Sequence, residues 1–203
     1  MDEETLKYIG YSMSKKKWII IKSDNIRCDT YEFLNAGATS LVYFNKEKNR
    51  VVKIIRGSEY KSNDTFIQES QKEVSFQKKA AKFGLAPKVF HHGFVKKQKS
   101  FLYPHDIIPY YYIVMEYLAQ DNGWEHAFAN DKPELFCKFI SDLVDKVGII
   151  NIVDPQTHFY YNEKENKLLM IDYDRCVSCV HKQQCKIDMT KALGIRPTSD
   201  ALN

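Results

Sequence analysis

The sequence predicts an α+β fold in two lobes, an antiparallel sheet with one helix followed by a smaller, mainly helical part. Three observations carry this. Short apolar runs separated by polar turns dominate residues 18–117. A helical stretch that closes on Gly and Pro interrupts them. A second helix and a hairpin then follow the polar connector Ala119–Asn122, which puts the expected lobes at 1–118 and 119–203.

Trp18-Ile19-Ile20-Ile21 is a strand by its β-branched run. A five-stranded antiparallel sheet is expected after it. Residues Tyr31–Tyr43 supply two strands and Arg50–Ile55 a third, with Asn45-Lys46-Glu47-Lys48-Asn49 as a polar hairpin turn. Gly57–Asn63 reads as a polar loop. Thr65-Phe66-Ile67-Gln68 has capping-box spacing and opens a helix to about Lys82, closed by Gly84 and Pro87. Strands near Lys88–Val95 and Tyr110–Tyr117 complete the sheet. In Pro133–Val147 the residues Leu135, Phe136, Phe139, Ile140, Leu143, Val144 and Val147 keep the helical period, and Gly148 ends it. Ile149–Val153, Phe159-Tyr160-Tyr161, a turn over Asn162–Lys167 and a strand into Asp172 follow.

The bulk numbers exclude several function classes. A chain of 203 residues can bury a sizeable core, and 44% hydrophobic with 28% charged residues is ordinary for a soluble globular protein. The net charge of +4 is spread along the chain, and Lys15-Lys16-Lys17 and Lys96-Lys97 are too short to make a nucleic-acid-binding face. The acidic start Met1-Asp2-Glu3-Glu4 lacks the apolar stretch of a secretory signal. No run approaches the roughly 20 apolar residues of a membrane span. Five cysteines, with Cys28 and Cys137 standing apart, favour a reducing compartment over a disulfide framework. The expectation is a soluble, cytoplasmic protein.

Two charges stand in apolar runs. Lys53 lies within Val51-Val52-Lys53-Ile54-Ile55, and Asp172 closes Leu168-Leu169-Met170-Ile171-Asp172-Tyr173-Asp174. A buried run that delivers a charge is costly unless the charge has a partner or a task. Ahead of Lys53, Leu34-Asn35-Ala36-Gly37-Ala38-Thr39-Ser40-Leu41-Val42-Tyr43 forms a hairpin of small residues. Glu73 lies on the following helix, with Glu69 one turn earlier on the same face. Tyr112-Ile113-Val114-Met115-Glu116-Tyr117-Leu118 leads to the connector, and Asp154 follows the second helix.

In this order, over roughly residues 31–175, these segments resemble the protein-kinase superfamily. The resemblance implies a two-lobe kinase-like fold and transfer of the γ-phosphate of ATP, with Mg²⁺, to a protein hydroxyl of Ser, Thr or Tyr, Ser/Thr first. It assigns Asn35, Gly37, Ser40 and Val42 to the glycine-rich hairpin over the phosphates. Lys53 would position the phosphates and Glu73 would orient Lys53. Met115 would line the adenine pocket, and the backbone of Glu116–Leu118 would hydrogen-bond the base. Asp154 would be the catalytic base. Asp172 and Asp174, in the place of Asp-Phe-Gly, would offer oxygen ligands to Mg²⁺. Each segment has a plainer reading: an ordinary β-turn, a strand-edge lysine in water, an aromatic core strand, and a turn capped by two solvated acids.

The sequence also departs from the kinase pattern. Two of three loop glycines are replaced, and Ile152-Val153 precede Asp154 where His-Arg is usual. Phe159 stands five residues beyond Asp154, where an asparagine would hold a second Mg²⁺. His158 is one residue early and would serve as a metal or phosphate contact, although Mg²⁺ prefers oxygen to imidazole. No Ala-Pro-Glu follows Asp174, so a truncated lobe is expected, as in bacterial effector kinases and some viral kinases. That likeness extends the expected location to a host cytosol and admits an activating protein partner. The tail carries Cys176, Cys179, His181 and Cys185, a set able to close a tetrahedral Zn²⁺ site, with free thiols or an oxidised disulfide as the alternatives. The competing functional class is a pseudokinase serving as a protein-binding module.

Overall fold

In this computed structural model the described residues are 6–12, 17–22, 28–37, 39–57, 62–99, 107–151 and 158–195. The main sheet runs in the order β1-β2-β3-β4-β5-β7-β6. Its strands are β1 (Leu6–Ser12), β2 (Lys17–Lys22), β3 (Cys28–Ala36), β4 (Ser40–Asn45), β5 (Arg50–Arg56), β6 (Val89–Lys99) and β7 (Ile107–Glu116). Every neighbouring pair is antiparallel. The expected five-stranded sheet is therefore present as β3-β4-β5-β7-β6. The run at Trp18 joins it as β2, and β1, unforeseen, extends the edge.

Strand β5 is central because its five inner residues are buried and four of them, Val51, Val52, Ile54 and Ile55, are apolar. Val52 and Ile54, both 0% exposed, pack with Tyr31, Tyr43, Tyr110, Tyr112 and Val114, and each contributes about 1.5–3 kcal/mol of burial. The β4–β5 turn forms because the Asn45 side-chain oxygen accepts the Lys48 N–H at 2.9 Å and Asn49 takes a left-handed φ of 49°.

Helix α1 (Asn63–Ala81) starts earlier than Thr65. The Ser62 hydroxyl accepts the Thr65 N–H at 3.2 Å, so Ser62 rather than Thr65 is the capping residue. Phe66 anchors the first turns: it is fully buried and meets Phe94 edge-on at 6.1 Å. A Cβ on Gly57 would come within 2.6 Å of the Pro109 ring and 2.9 Å of the Phe66 ring. Only glycine lets these rings close over the chain there.

The chain divides into two compact units, Met1–Gln71 with Val89–Tyr117, and Lys72–Lys88 with Leu118–Asn203. The second part of α1 thus belongs with the second unit, unlike the division at 118/119. That unit holds β8 (Trp124–His126), α2 (Pro133–Asp142), β9 (Ile149–Ile150), β10 (Phe159–Asn162), β11 (Lys167–Met170), β12 (Val177–Ser178) and α3 (Lys182–Ala192). Strands β11-β10-β8 form one small sheet and β12-β9 another. Helix α2 passes into a π turn over Leu143–Val147, and Gly148, at φ 77°, ends it. The Lys79 ammonium donates to the exposed Val147 carbonyl at that end. The core gathers Phe136, Phe139, Ile140, Leu143, Phe159 and Met170, with Phe159 held edge-on between Phe136 and Phe139. No described helix is long and apolar enough to cross a membrane.

Candidate active site

In the first unit, Lys53 lies mid-strand in β5, opposite Val42 in β4 and Ile113 in β7. It is 7% exposed, so its ammonium is withdrawn from water. Neither Lys53 nor Glu73, which is 4% exposed on α1 in the second unit, is without a partner.

The β3–β4 hairpin carries Asn35, Gly37, Ser40 and Val42. The register slips between Phe33 and Asn35, which restores Asn35 opposite Val42. The Asn35 side-chain oxygen accepts the Ala36 N–H at 2.8 Å, and the Gly37 N–H donates to the Ser40 carbonyl at 2.8 Å. Gly37 is exposed and does not have a left-handed φ. A Cβ there would sit 3.5 Å from the Ser40 hydroxyl, an ordinary contact. The fold itself therefore does not require glycine at this position. Ala38 lies outside the described residues.

Met115, buried, ends the apolar part of β7 between Val51 and Val89. Glu116 faces Arg50, and the Tyr117 N–H donates to the Asn49 carbonyl at 3.3 Å. One of the three residues expected to read the base thus spends its amide within the sheet. Leu118 is buried with Trp124 and Leu169 in the second unit.

The second unit builds the Asp172 turn. Strand β11 pairs with β10 from Phe159↔Met170 to Asn162↔Lys167, and the pairing extends one step further as the Ile171 N–H donates to the His158 carbonyl at 2.9 Å. The chain then turns: an Asp172 carboxylate oxygen accepts the Asp174 N–H at 3.3 Å. Tyr173 points inward, 1% exposed, and its hydroxyl donates to the Leu85 carbonyl at 3.1 Å. The same carbonyl accepts the Met170 N–H at 3.1 Å. Tyr173 is therefore a buried anchor of the turn. Burial, then the neighbouring Cys176, raises its phenol well above the usual range. The Leu85 anchor was missed because a main-chain acceptor has no sequence signature.

His158 Nε2 is 3.8 Å from the second Asp172 carboxylate oxygen. Its Nδ1 is buried with no hydrogen-bond partner among the described residues. Asn151, fully buried, and His158 flank residues 152–157, so Asp154 lies outside the described residues. Just upstream, β9 pairs with β12, Ile150 opposite Val177, and the Cys179 N–H donates to the Gly148 carbonyl at 2.8 Å.

Cys176 is buried, and burial followed by the charges of Asp172, Asp174 and Glu73 pushes its thiol far up, with Lys72 opposing. Asp172 and Asp174 suit Mg²⁺, which is usually held by one or two carboxylates and completed by water and phosphate oxygens. The Zn²⁺ set does not fit. Cys176 is buried, His181 is exposed ahead of α3, and Cys179 and Cys185 are half-buried at the end of β12 and in α3. Among the described residues no three His, Cys, Asp or Glu side chains converge on a metal position. Nearness in sequence does not fix side-chain direction, and the β12 strand and the α3 helix turn these four apart.

No protein-family model matches the chain, and no curated protein matches it. Solved kinase domains share structural similarity with it. The ROP18 kinase domain, in complex with AMP-PNP and sucrose, has a TM-score of 0.47 at 13% identity, over 79% of this chain and 56% of that one. The Mycobacterium tuberculosis PknI kinase domain has a TM-score of 0.44 at 11% identity, over 71% and 60%. The chain spans less than two thirds of either domain.

Proposed function

We propose that this chain is an ATP- and Mg²⁺-dependent phosphotransferase of the protein-kinase type, acting on a protein hydroxyl, Ser or Thr before Tyr. The observation that carries the reading is Lys53, a residue 7% exposed in the middle of a central strand. A lysine in that position keeps its charge only where opposite charge faces it, and phosphate oxygens are what we propose it holds. Support comes from the Asp172 turn, where two carboxylates follow a buried strand and Glu73 adds negative charge nearby. Gly37, which the fold does not need, leaves the hairpin backbone bare for close approach to phosphate.

ATP with Mg²⁺ supplies the transferable phosphoryl group and part of its charge compensation. Lys53 orients the phosphates, Glu73 fixes Lys53, and the Asp172 and Asp174 oxygens hold the metal. Asp154 orients the acceptor hydroxyl and takes its proton. Met115 and the Glu116–Leu118 backbone hold the base, with Tyr117 contributing its carbonyl because its amide is already bonded. The proposed setting is a cytosol, the cell's own or a host's, with an activating protein partner.

A second reading, a pseudokinase acting as a binding module, is favoured by His158: an imidazole stands 3.8 Å from Asp172 in the neighbourhood where a kinase uses an amide oxygen. The purified chain with Mg²⁺, γ-labelled ATP and a lysate as acceptor separates the two. Label that appears with the native chain and disappears with Asp172→Asn establishes the kinase. Nucleotide binding without label leaves the binding module.

A further inference from the structure

Two side chains of the second unit issue from neighbouring strand ends and face each other without a hydrogen bond. The Ile171 N–H donates to the His158 carbonyl at 2.9 Å. This holds His158, directly ahead of β10, beside the residue that precedes Asp172. The two carboxylate oxygens of Asp172 are divided: Oδ1 accepts the Asp174 N–H at 3.3 Å, and Oδ2 lies 3.8 Å from His158 Nε2. That separation is too long for a hydrogen bond. It falls inside the span of roughly 3.0–4.2 Å that two donors on one ion adopt when each bond is about 2.1 Å, from a right angle to a straight line. The other ring nitrogen, Nδ1, is buried with no hydrogen-bond partner among the described residues. Backbone and packing therefore aim the imidazole at Asp172, and no hydrogen bond explains the aim. The two side chains keep 22% and 25% of their surface open, so an ion can reach the pair from solvent.

We propose that His158 Nε2 and Asp172 Oδ2 form a mixed nitrogen–oxygen clip for a divalent transition ion, so that this chain takes Mn²⁺ in preference to Mg²⁺. The inference rests on the phosphotransferase reading for its remaining donors, the phosphate oxygens of ATP, whereas the two protein donors stand apart from it. Mg²⁺ demands a near-ideal octahedron of oxygens and gains little from an imidazole. Mn²⁺ accepts the same carboxylate, phosphate and water oxygens and, as a first-row transition ion, also takes an imidazole nitrogen. An amide oxygen at position 158 would leave the set all-oxygen and favour Mg²⁺. The imidazole exchanges one of those oxygens for nitrogen and moves the preference. The residue that fits Mg²⁺ poorly is thus a determinant of which ion is used.

The full chain, labelled with heavy nitrogen, is titrated with Mn²⁺ alone and with Mn²⁺ plus an unlabelled, non-hydrolysable ATP analogue. Pulsed electron spin resonance then reads the donors of the bound ion, and the label separates protein nitrogen from that of the base. The expected spectrum shows a directly coordinated protein nitrogen, which is lost in His158→Asn. In that variant the preference for Mn²⁺ over Mg²⁺, read by competition, should fall several-fold. The native spectrum decides even where the variant fails to fold. Bound Mn²⁺ with oxygen donors only, or no bound Mn²⁺ in either titration, leaves a plain ion pair between the two side chains and overturns the proposal. A coordinated nitrogen that persists in His158→Asn, or a native chain that prefers Mg²⁺, overturns it as well. Nitrogen-coordinated Mn²⁺ on a chain that does not bind the analogue keeps the clip and removes the phosphotransferase reading.

Discussion

Two apolar runs in this molecule each end up presenting one charge, and they do it in opposite ways. Lys53 stands in the middle of its strand, with neighbours hydrogen-bonded on both sides, and is almost wholly withdrawn from water. Asp172 stands just past the end of its strand, where the backbone turns, with its side chain 25% exposed. A mid-strand charge belongs to the packing of the sheet as well as to any ligand. A charge at a strand's end is held by a turn and is available to solvent. Removing Lys53 should therefore perturb fold and activity together, whereas changing Asp172 should separate them.

The largest effect expected is on turnover in Asp172→Asn, which keeps the oxygen that accepts the Asp174 N–H and loses the charge. On the proposed function phosphotransfer falls by about 10³-fold, while the free energy of unfolding stays within roughly 0.5 kcal/mol of the native value. A large loss of stability would erase the contrast with Lys53. Lys53→Met should lower turnover by about 10²-fold and also cost about 1–3 kcal/mol, because whatever the ammonium engages is left buried and unpaired. Urea unfolding reads this as a shifted midpoint with an unchanged slope. Tyr173→Phe deletes one of the two hydrogen bonds on the Leu85 carbonyl and should cost about 1 kcal/mol; a thermal midpoint unchanged from native would mean that the Asp172 turn is held by something else. The smallest effect on stability belongs to Gly37→Ala. The open space around its Cβ position predicts an unchanged midpoint, and on the proposed function nucleotide affinity measured by calorimetry falls several-fold, by roughly 1 kcal/mol.

Most of the first unit was legible in the sequence because its strands bury alternating or continuous apolar runs between polar turns. Val51–Ile55 and Tyr110–Tyr117 show this plainly. Leu6–Ser12 was not legible: Gly10 interrupts the short run and Lys7 and Ser12 break its apolar pattern. The apolar period of α2 runs unbroken into the π turn, so the sequence places the helix end at Gly148 without revealing the change of winding. Helix α3 was missed because Lys182–Ala192 is rich in Lys and Gln, and only Met189 and Thr190 of its side chains are fully buried. The cysteine spacing was read as a metal site for the same reason, since the strand-then-helix geometry that separates Cys176 from the other two is invisible until α3 is recognised. At the candidate site, the burial of Lys53 follows from its apolar flanks. Glu73, next to Lys72, and Tyr173, between Asp172 and Asp174, are buried without such a local signal. The partners that hold them in place are long-range, and spacing alone cannot name them.

The double anchor on Leu85 has a consequence for how this chain tolerates change. The acceptor that receives both Met170 and Tyr173 is a main-chain carbonyl, which every amino acid provides. Substitution of the residue at 85 leaves that acceptor in the chain, so its cost lies in the packing of the buried Leu85 side chain and not in the anchoring of the turn. The turn is held through the backbone at residue 85 and through two side chains, the Tyr173 hydroxyl and the Asp172 carboxylate.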